Sequence, residues 1–279
     1  MCKFANEMNH TINVRGRLVA LDKPQVMGIL NATPDSFYEG SRKQTERDIA
    51  ERALQIVAEG GTMIDVGAFS TRPGAIEVSE EEELNRLRFA LGIVRRELPD
   101  AIVSIDTYRP LVARQCVEEW RADMINDVSE GGLTGIVNTP LKEQYNMFQT
   151  IASLRVPYIL MSVRSTLREM LLAFAEEIQQ LHELGVCDVI IDPGFGFGKT
   201  LEQNYQLMKE LDKLLVLDLP LLVGVSRKSM IYKLLDGTPS TALNGTTVLH
   251  TMALQKGASI LRVHDVREAV ETIKIVSLL

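Results

Sequence analysis

Short apolar runs rich in β-branched residues recur along the chain, and nearly every run ends in polar residues. Helical patterns separate these runs, which follow one another at intervals of roughly 20–40 residues. A regular alternation of strand and helix is typical of an α/β fold with a parallel sheet. The pattern therefore predicts a single (β/α)8 TIM barrel, with strands at residues 26–30, 63–64, 102–105, 124–125, 158–160, 189–191, 221–225 and 259–261.

Local turn and capping signals predict the elements around these strands. Residues 11–21 predict an N-terminal β-hairpin that turns at Gly16, and we expect this hairpin to cover the bottom of the barrel. Residues 45–59 form a helical pattern that ends at two glycines, Ser79 precedes a run of acidic residues, and Pro110 opens a further helix. Glycine after a helix, acids in its first turn and proline at its start are common signals.

Two connections that follow predicted strands are long, at residues 31–44 and 67–78. Both are rich in glycine, proline, serine and threonine. The loops after barrel strands lie on the catalytic face, where long loops often act as lids. We expect these two connections to close over a site, and an ordinary solvated loop is the alternative.

Length and composition favour one domain that spans residues 1–279. The chain is close to the roughly 250 residues typical of one such barrel, and 46% hydrophobic residues can fill a large core. No linker or low-complexity tract interrupts it. A net charge of −7 and a pI near 5.3 argue against general binding to nucleic acids or membranes. An anionic substrate would therefore need arginine and lysine residues concentrated at its site.

Cysteine usage and hydropathy predict a cytoplasmic protein. Three scattered cysteines indicate reduced thiols rather than a disulfide framework, and we expect Cys116 and Cys187 to be buried. No signal peptide is evident, because charged residues precede any long apolar run. The most apolar stretch, residues 214–225, is too short to span a membrane.

Three polar residues at predicted strand ends are candidates for binding a substrate: Asp106, Asn126 and Asp192. Barrels build their active sites at the C-terminal ends of the strands, so these side chains should converge. A buried carboxylate needs partners, and it can pair with the N–H edge of a guanidine-like heterocycle. An amide beside it both donates and accepts. The set suits a flat ligand such as a pterin or a purine, whereas helix caps and structural ion pairs are the alternative.

Basic residues follow the last two predicted strands. Lys228 could contact a carbonyl group or ring nitrogen of a ligand, and Ser229 at a helix start could help to bind a carboxylate. Arg262 and His264 are two residues apart, so they share one face of a strand. They lie where many barrels bind phosphate. A solvated basic turn and a structural histidine are the alternatives here, and we interpret His250, within a helical pattern, as structural.

Residues 192–200, DPGFGFGKT, invite comparison with a phosphate-binding loop. A Walker A motif has four residues between its glycines, which here would require glycine in place of Pro193. We therefore reject that interpretation. The alternation of glycine and phenylalanine predicts a tight loop that presents an aromatic wall, and Lys199 is a weak candidate for a phosphate ligand.

Five segments together resemble the dihydropteroate synthases. They occur in the order of that family and, with Asp106 and Asn126, span about residues 26–270. The resemblance implies a pterin-binding (β/α)8 barrel, usually a homodimer, that acts in folate synthesis. Such an enzyme joins 6-hydroxymethyl-7,8-dihydropterin diphosphate to 4-aminobenzoate and releases 7,8-dihydropteroate and pyrophosphate. The segments are NATPDSF at 31–37, STRPG at 70–74, DPGFGFGK at 192–199, SRKS at 226–229 and RVHD at 262–265.

The resemblance also implies roles for individual residues. Arg262 and His264 would hold the diphosphate, and Asn31 would help to place Mg2+, which such anions usually recruit. Asp35 and Arg72 lie on the two long loops and would complete the site on closure. These five residues and Lys228 form the expected catalytic set. The pterin would contact Asp106, Asn126, Met161, Asp192 and Lys228, and the aminobenzoate would contact Phe37, Thr71, Pro73, Phe197, Lys228 and Ser229.

The mechanism implied by the resemblance fits the residues that the sequence offers. The sequence contains no obvious nucleophile–base pair of the Ser/His or Cys/His kind. In the family's mechanism pyrophosphate leaves first, and the arylamine attacks a cation delocalised into the dihydropterin. Such a reaction needs stabilisation of the leaving group by Mg2+, Arg262 and His264. It also needs protection of the cation from water, which gives the long loops a purpose.

The sequence departs from the family pattern at three places. Phe69 precedes the STRPG segment, where many members have glutamate or glutamine. Residues 161–167 read MSVRSTL, where members commonly have Met-His-Met and a Gly-Thr-Pro-like turn. Glu130 lies between Ser129 and two glycines, in the loop after the fourth barrel strand.

Three other functions compete with the synthase interpretation. A folate-dependent methyltransferase on a related pterin-binding barrel could share the strand-end residues, but methyl transfer releases no diphosphate. A Schiff-base aldolase could use Lys228. A non-catalytic pterin-binding protein could have descended from an enzyme.

Overall fold

The computed structural model describes residues 10–32, 42–69, 78–132 and 147–279, with only the backbone of residues 42–44. Within these ranges the barrel strands and their helices alternate along the chain, as the sequence pattern predicts. The strands are β1 Thr11–Val14, β2 Arg17–Ala20, β3 Gln25–Asn31, β4 Met63–Gly67, β5 Ile102–Asp106, β6 Met124–Asp127, β7 Tyr158–Met161, β8 Val189–Asp192, β9 Leu222–Val223 and β10 Ile260–Val263. The helices are α1 Arg42–Ala58, α2 Glu80–Glu97, α3 Pro110–Glu118, α4 Met147–Leu154, α5 Leu167–Glu183, α6 Leu201–Lys209, α7 Ser229–Tyr232, α8 Leu243–Gln255 and α9 Val266–Val276.

Eight parallel strands form a nearly closed barrel, which confirms the predicted fold class. Hydrogen-bonded neighbours follow the order β8-β7-β6-β5-β4-β3-β10-β9. One parallel bridge between Ile191 in β8 and Leu221, just before β9, joins the two ends of this sheet. The strand β9 is the shortest, because only Leu222 and Val223 of the predicted run 221–225 pair as a strand.

The N-terminal hairpin lies at the bottom of the barrel, as predicted. Strands β1 and β2 pair antiparallel, and the turn between them places Gly16 at a φ of +78°. Ile12, Val14 and Leu21 are buried against apolar side chains at the bottom of the barrel strands, so the hairpin covers the floor of the barrel. The strand residues of this cluster are Met27, Met63, Met124, Ile159, Ile190, Leu222 and Ile260.

The side chains in the barrel interior change from apolar to mostly polar within two residues along each strand. Successive side chains of a strand point to opposite faces, so residues two apart share the interior. Most of the floor residues are therefore followed, two positions later, by a group suited to chemistry, whereas the intervening residues pack against the helices. The interior pairs are Met63 and Asp65, Met124 and Asn126, Ile159 and Met161, Ile190 and Asp192, and Ile260 and Arg262.

Helix boundaries agree with the sequence signals. Helix α1 begins at Arg42, three residues before the predicted start, and it ends shortly before Gly60, whose φ is +96°. The hydroxyl group of Ser79 caps α2 by accepting a hydrogen bond from the backbone N–H of Glu82. Pro110 is the first residue of α3. These caps fix where α2 and α3 begin, close to the ends of the strands that carry the polar residues.

The environments of three further residues test the sequence analysis. Cys116 is buried in α3, as expected, but Cys187 is exposed in the turn before β8, so that part of the prediction is wrong. Burial lowers the pKa of His250 to about 4, which agrees with a structural role in α8. Across the described ranges, no helix combines the length and the apolar character needed to cross a membrane.

Candidate active site

A connected polar cluster lies in the upper part of the barrel interior, which we call the mouth cluster: Asp65, Asp106, Asn126 and Arg262. The guanidinium group of Arg262 donates from Nε to Asp65 Oδ2 at 2.6 Å and from Nη2 to Asp106 Oδ2 at 2.7 Å. The amide of Asn126 donates from Nδ2 to the same Asp65 oxygen at 3.1 Å. The neighbouring strands β4, β5 and β6, together with β10, bring these side chains to one place.

Asp65 is the member of this cluster that the sequence analysis missed. Its side chain is fully buried, whereas that of Asp106 is 17% exposed. The sequence contains a signal for Asp65, because it follows Met63 by two positions and the two side chains therefore share the interior face of the strand. Asp65 directly follows the predicted run 63–64, but the next residue, Val66, is apolar again, so Asp65 is less evident as a strand-end residue than Asp106. A search for polar residues within strands, rather than after them, would have found it.

The cluster controls the charge of its members. Burial raises the pKa of Asp106 to about 7, although the nearby Arg262 charge opposes this shift. Burial would lower the pKa of Arg262, but the carboxylates of Asp65 and Asp106 outweigh burial and raise it. Arg262 therefore remains a cation, whereas Asp106 can gain or lose a proton near neutral pH.

Several oxygen atoms in this region have no hydrogen-bond partner within the described part of the protein. They belong to Asp65 (Oδ1), Ser104 (Oγ), Asp106 (Oδ1) and Asn126 (Oδ1), and all four are buried. Buried polar atoms are rarely left unpaired in folded proteins. The amide oxygen of Asn126 and the oxygens of ionised Asp65 and Asp106 can only accept hydrogen bonds. The mouth cluster is therefore suited to a ligand that presents several N–H groups.

Asp192 and Lys228 are two further buried residues whose charges act on each other. Asp192 is buried at the end of β8 and accepts a hydrogen bond at Oδ1 from the backbone N–H of Gly194 at 2.8 Å. Burial raises the pKa of Asp192, against the opposing charge of Lys228. Burial lowers the pKa of Lys228 to about 8, against the opposing charge of Asp192. Each residue thus offsets part of the cost of burying the other.

The turn after β9 directs Lys228 into the barrel. Arg227 has a left-handed backbone with a φ of +54°, and its guanidinium group binds Asp265 through two hydrogen bonds of 2.8 Å. This pair links the turn after β9 to the residues after β10. Lys228 donates to the carbonyl oxygen of Phe195, and its ammonium group lies 4.6 Å from the ring centre of Phe197. The aromatic wall predicted for this loop is thus the exposed face of Phe197, because Phe195 is fully buried.

Lys199 holds the loop after β8 together and does not point to a phosphate site. Its Nζ atom donates to the carbonyl oxygens of Ser162, Gly194 and Phe197 at 3.3, 2.9 and 3.2 Å. These contacts agree with the rejection of the Walker A interpretation. Gly194 has a φ of +65°, and an added Cβ would lie 2.2 Å from the Ser162 carbonyl oxygen, so this position requires glycine.

The remaining predicted residues that the structure describes surround the same opening. Asn31 is exposed at the end of β3, and Met161 is buried at the end of β7, where it packs against Gly194. His264 follows β10, where its backbone N–H donates to Ser226 Oγ at 3.1 Å. Ser229 is the first residue of α7. Asp35, Phe37, Thr71, Arg72 and Pro73 lie outside the described residues.

The atypical residue Phe69 packs on Tyr108, which in turn contacts the arginine of a buried ion pair. Its ring packs edge-to-face on Tyr108, with ring centres 5.2 Å apart, and the Arg109 guanidinium lies 4.9 Å from the Tyr108 ring centre. Arg109 binds the buried carboxylate of Glu83 and donates to the Val78 carbonyl oxygen at 2.6 Å. This arrangement anchors the chain directly after the second long loop.

Comparison with known proteins identifies the family. The family described as pterin binding enzyme matches residues 27–264, which include every strand that carries the mouth cluster. The dihydropteroate synthase of Escherichia coli K12 is 37% identical over 277 residues, which cover 94% of this chain and 94% of that protein. This chain belongs to the dihydropteroate synthase family. The family predicted from the five sequence segments is therefore confirmed.

Solved dihydropteroate synthases have the same fold. The enzyme of Xanthomonas albilineans with 4-aminobenzoic acid superposes with a TM-score of 0.85 at 34% identity, covering 97% of this chain and 98% of that one. The Yersinia pestis dihydropteroate synthase, solved as a sulfonamide drug complex, gives a TM-score of 0.84 at 34% identity and covers 96% and 98%. The prediction of a transferase of folate synthesis is confirmed by these relatives.

Proposed function

We propose that the mouth cluster, Asp192 and Lys228 form the site at which this dihydropteroate synthase joins 6-hydroxymethyl-7,8-dihydropterin diphosphate to 4-aminobenzoate. The observation that carries the assignment is the group of buried, unpaired oxygens on Asp65, Asp106 and Asn126. A pterin presents amine and ring N–H groups along one edge of a flat ring. Those donors match the acceptors of the cluster.

The pterin ring lies among Asp106, Asn126, Asp192 and Lys228, with Met161 in the pocket wall. Asp106, with a pKa of about 7, accepts a hydrogen bond or a proton from a ring nitrogen of the pterin. Lys228, with a pKa of about 8, donates a hydrogen bond to a carbonyl group or ring nitrogen while it is protonated. These contacts orient the methylene carbon towards the mouth of the barrel.

Arg262 and His264 hold the diphosphate. Two donors of Arg262, Nε and Nη2, are bound to Asp65 and Asp106, so the guanidinium is already fixed before the substrate arrives. Its Nη1 atom is then the donor for a phosphate oxygen. A donor that is fixed in advance stabilises the developing charge on the leaving group without reorganisation during the reaction.

Magnesium fits this site as a partner of the diphosphate rather than as a permanent constituent. Among the described residues, no group of three or more His, Cys, Asp or Glu side chains could enclose a metal ion. The exposed amide of Asn31 offers one oxygen ligand at the mouth. Mg2+ commonly keeps several waters and binds through one or two protein groups together with substrate phosphates. When bound, it would neutralise charge on the departing pyrophosphate.

The aminobenzoate lies outside the pterin, against Phe197, Lys228 and Ser229. Phe197 presents a half-buried ring next to the Lys228 ammonium group, so the arylamine can stack on an apolar face close to the methylene carbon. We further propose that the two long loops complete this site. Asp35 and Arg72 would exclude water after closure, while Phe37, Thr71 and Pro73 would add the remaining walls.

We also propose that the protein is a homodimer. The supporting observation is a set of exposed apolar side chains on two helices that pack together, Val248 and Met252 on α8 and Ile275 on α9. Analytical ultracentrifugation tests this proposal, and a monomer at micromolar concentration would contradict it. A cytoplasmic location and a single-domain organisation stay predictions.

The assay that tests the proposed site follows both products at once. Purified protein receives the dihydropterin diphosphate, Mg2+ and 4-aminobenzoate, while pyrophosphate and dihydropteroate are measured in parallel. We expect equal amounts of the two products, and we expect Asp192→Asn to abolish both. Full turnover by a folded Asp192→Asn variant would contradict the site assignment. Pyrophosphate without dihydropteroate would contradict the aminobenzoate part of it.

A further inference from the structure

Two departures from the family pattern contact each other in the structure. Ser162 stands where family members commonly have histidine, and Glu130 lies in the loop after β6. The Ser162 hydroxyl group donates to Glu130 Oε1 at 2.9 Å, and Arg164 Nε donates to the same oxygen at 3.2 Å. The Glu130 side chain is fully buried. A buried carboxylate is costly without such partners, so the contact requires an explanation.

The backbone at Glu130 adopts a conformation that is unusual for glutamate. Its φ is +55°, in the left-handed region that costs a non-glycine residue on the order of 1 kcal/mol. The carboxylate of Asp127 holds this turn by accepting hydrogen bonds from the N–H of Gly131 at 2.9 Å and from the Ser129 hydroxyl at 2.6 Å. The turn thus directs a charged side chain inward at a conformational cost.

Ser162 connects Glu130 to the loop that carries Phe197. Its hydroxyl group binds Glu130, and its carbonyl oxygen accepts a hydrogen bond from the ammonium group of Lys199. Burial lowers the pKa of Lys199 to about 8, and the charges of Asp192 and Glu130 oppose this shift. Glu130 is therefore one of two carboxylates that help to keep Lys199 protonated.

Protonated Lys199 fixes the wall on which the aminobenzoate is proposed to lie. Its three hydrogen bonds join the end of β7 to Gly194 and Phe197, and these bonds require the ammonium form for full donor capacity. The ring of Phe197 lies next to the ammonium group of Lys228. A change in Lys199 would therefore alter the position of Phe197, whereas the hydrogen bonds of Lys199 do not reach the mouth cluster.

Glu177 on α5 limits the negative charge of this region. It is buried, and burial together with the charge of Glu130 raises the pKa of Glu177 to about 8. At neutral pH it is therefore protonated. Oε2 of Glu177 and Oε2 of Glu130 both lack a hydrogen-bond partner within the described residues. Glu130 thus acts as the negative partner of Arg164 and Lys199.

We propose that Glu130 is a positioning residue for the aminobenzoate wall, acting through Ser162 and Lys199 on Phe197. This inference rests on the aminobenzoate site proposed above. A purely structural role would lower stability and affect both substrates alike. A positioning role raises the KM for 4-aminobenzoate selectively, because only that substrate contacts Phe197.

The test compares Glu130→Gln, Lys199→Met and the double variant with wild type. Loss of one charge-assisted contact corresponds to about a tenfold rise in KM for 4-aminobenzoate, and we expect this rise in all three variants. The KM for the pterin diphosphate should stay unchanged in Glu130→Gln and should change less than the KM for 4-aminobenzoate in the two variants that lack Lys199, because the Lys199 charge also acts on Asp192 and Lys228. The double variant should be no worse than Lys199→Met, since both residues act on one loop. Glu176→Gln, an exposed change at the position beside Glu177, is the matched control and should behave as wild type.

Several outcomes would overturn the inference. A folded Glu130→Gln variant with unchanged KM for 4-aminobenzoate would do so, as would equal rises in both KM values. If Glu130→Gln does not fold, Lys199→Met and Lys199→Arg provide the readout, and the inference requires that only arginine keeps a near-normal KM. Phe197→Leu separates this inference from the proposed function. An unchanged KM for 4-aminobenzoate in Phe197→Leu would contradict the proposed aminobenzoate site at Phe197. A raised KM in Phe197→Leu without any effect of Glu130→Gln would overturn only the positioning role of Glu130.

Discussion

The floor and the mouth of the barrel are built by the same strands, yet two residues along a strand separate opposite kinds of chemistry. Met63, Met124 and Ile260 pack against the hairpin at the bottom of the barrel. Two residues further along the same strands, Asp65, Asn126 and Arg262 form a hydrogen-bonded cluster. Removal of apolar surface from water at the floor stabilises the folded protein. The mouth buries charges that need a ligand or one another as partners. Stability and catalysis can therefore be altered separately within one interior.

Removing the charge of a mouth residue should have the largest effect on catalysis. We expect Arg262→Met to lower kcat by at least about 100-fold, the scale seen when one preorganised donor to a developing charge is lost. The same variant removes the partner of both Asp65 and Asp106, so the pterin diphosphate should also bind more weakly. Steady-state kinetics on protein with a native circular dichroism spectrum tests this. A kcat near that of wild type would show that the mouth cluster is not required for catalysis.

A floor residue should show the opposite behaviour. Ile12 is buried in the hairpin against the floor, and Ile12→Ala should lower the free energy of unfolding by about 2–5 kcal/mol, the usual cost of such a truncation. We expect kcat per folded molecule to stay unchanged. Chemical denaturation and active-site titration provide the two measurements. A large loss of kcat with little loss of stability would show that floor and mouth are not separable.

Asp65 is the fully buried carboxylate of the mouth cluster, so its removal sharpens the comparison. Asp65→Asn keeps the shape but removes a charge that holds Arg262 and that raises the pKa of Asp106. We expect kcat/KM for the pterin diphosphate to fall about tenfold, equivalent to one charge-assisted hydrogen bond. We also expect the pKa of Asp106, read by carbon-detected NMR of its carboxyl group, to move down from about 7. An unchanged pKa would mean that Asp65 does not act on Asp106.

The pH dependence of activity should report Lys228. Burial lowers its pKa to about 8, so the ammonium donor is present below that pH and is lost as the pH rises through it. Activity should therefore decline above about pH 8. Lys228→Arg stays charged over this range, so whatever activity it retains should lose this decline. The pH profiles of kcat/KM for the pterin diphosphate test this in both proteins, and identical alkaline limbs would rule out Lys228 as the source.

The smallest expected effect concerns Glu177, which lies outside both layers. Its pKa in the folded protein is about 8, compared with an ordinary value of 4.5, so the unfolded chain loses its proton first as the pH rises. Its contribution to stability is present below pH 4.5 and is lost as the pH rises towards 8. Glu177→Gln should match wild type at low pH and raise the Tm at pH 8 by at least about 5 °C. If the variant and wild type have equal Tm values at low pH and again at pH 8, Glu177 is not buried in its protonated state.

The sequence predicts the barrel, the hairpin and most of the polar strand ends, because these features repeat with local periods. The period of strand and helix locates all eight barrel strands, and capping residues such as Ser79 and Pro110 locate helix starts. Strand-end position identifies Asp106 and Asn126. Five predicted residues on the two long loops, at positions 35, 37, 71, 72 and 73, lie outside the described residues and stay predictions.

Other features depend on contacts between distant parts of the chain, which no local pattern records. Asp65 belongs to the site through Arg262, which lies 197 positions further along the chain. The contact between Glu130 and Ser162 joins two departures that look independent in the sequence. The sequence makes Lys199 only a weak candidate for a phosphate ligand, but it does not reveal that the Lys199 ammonium group binds three backbone carbonyl groups. These relationships follow from barrel closure and from the turns that carry the loops.

The central claim is that the pterin binds at the mouth and not elsewhere on the barrel. Calorimetric titration with 6-hydroxymethylpterin tests it with one matched pair of variants. Asp192→Asn changes the mouth, whereas Asp188→Asn changes the residue directly before the same strand, whose side chain accepts a hydrogen bond from the backbone N–H of the hairpin residue Asn13. The account predicts wild-type affinity for Asp188→Asn and a loss of at least about 10-fold for Asp192→Asn, the equivalent of one charge-assisted contact. Equal binding by both variants would contradict it.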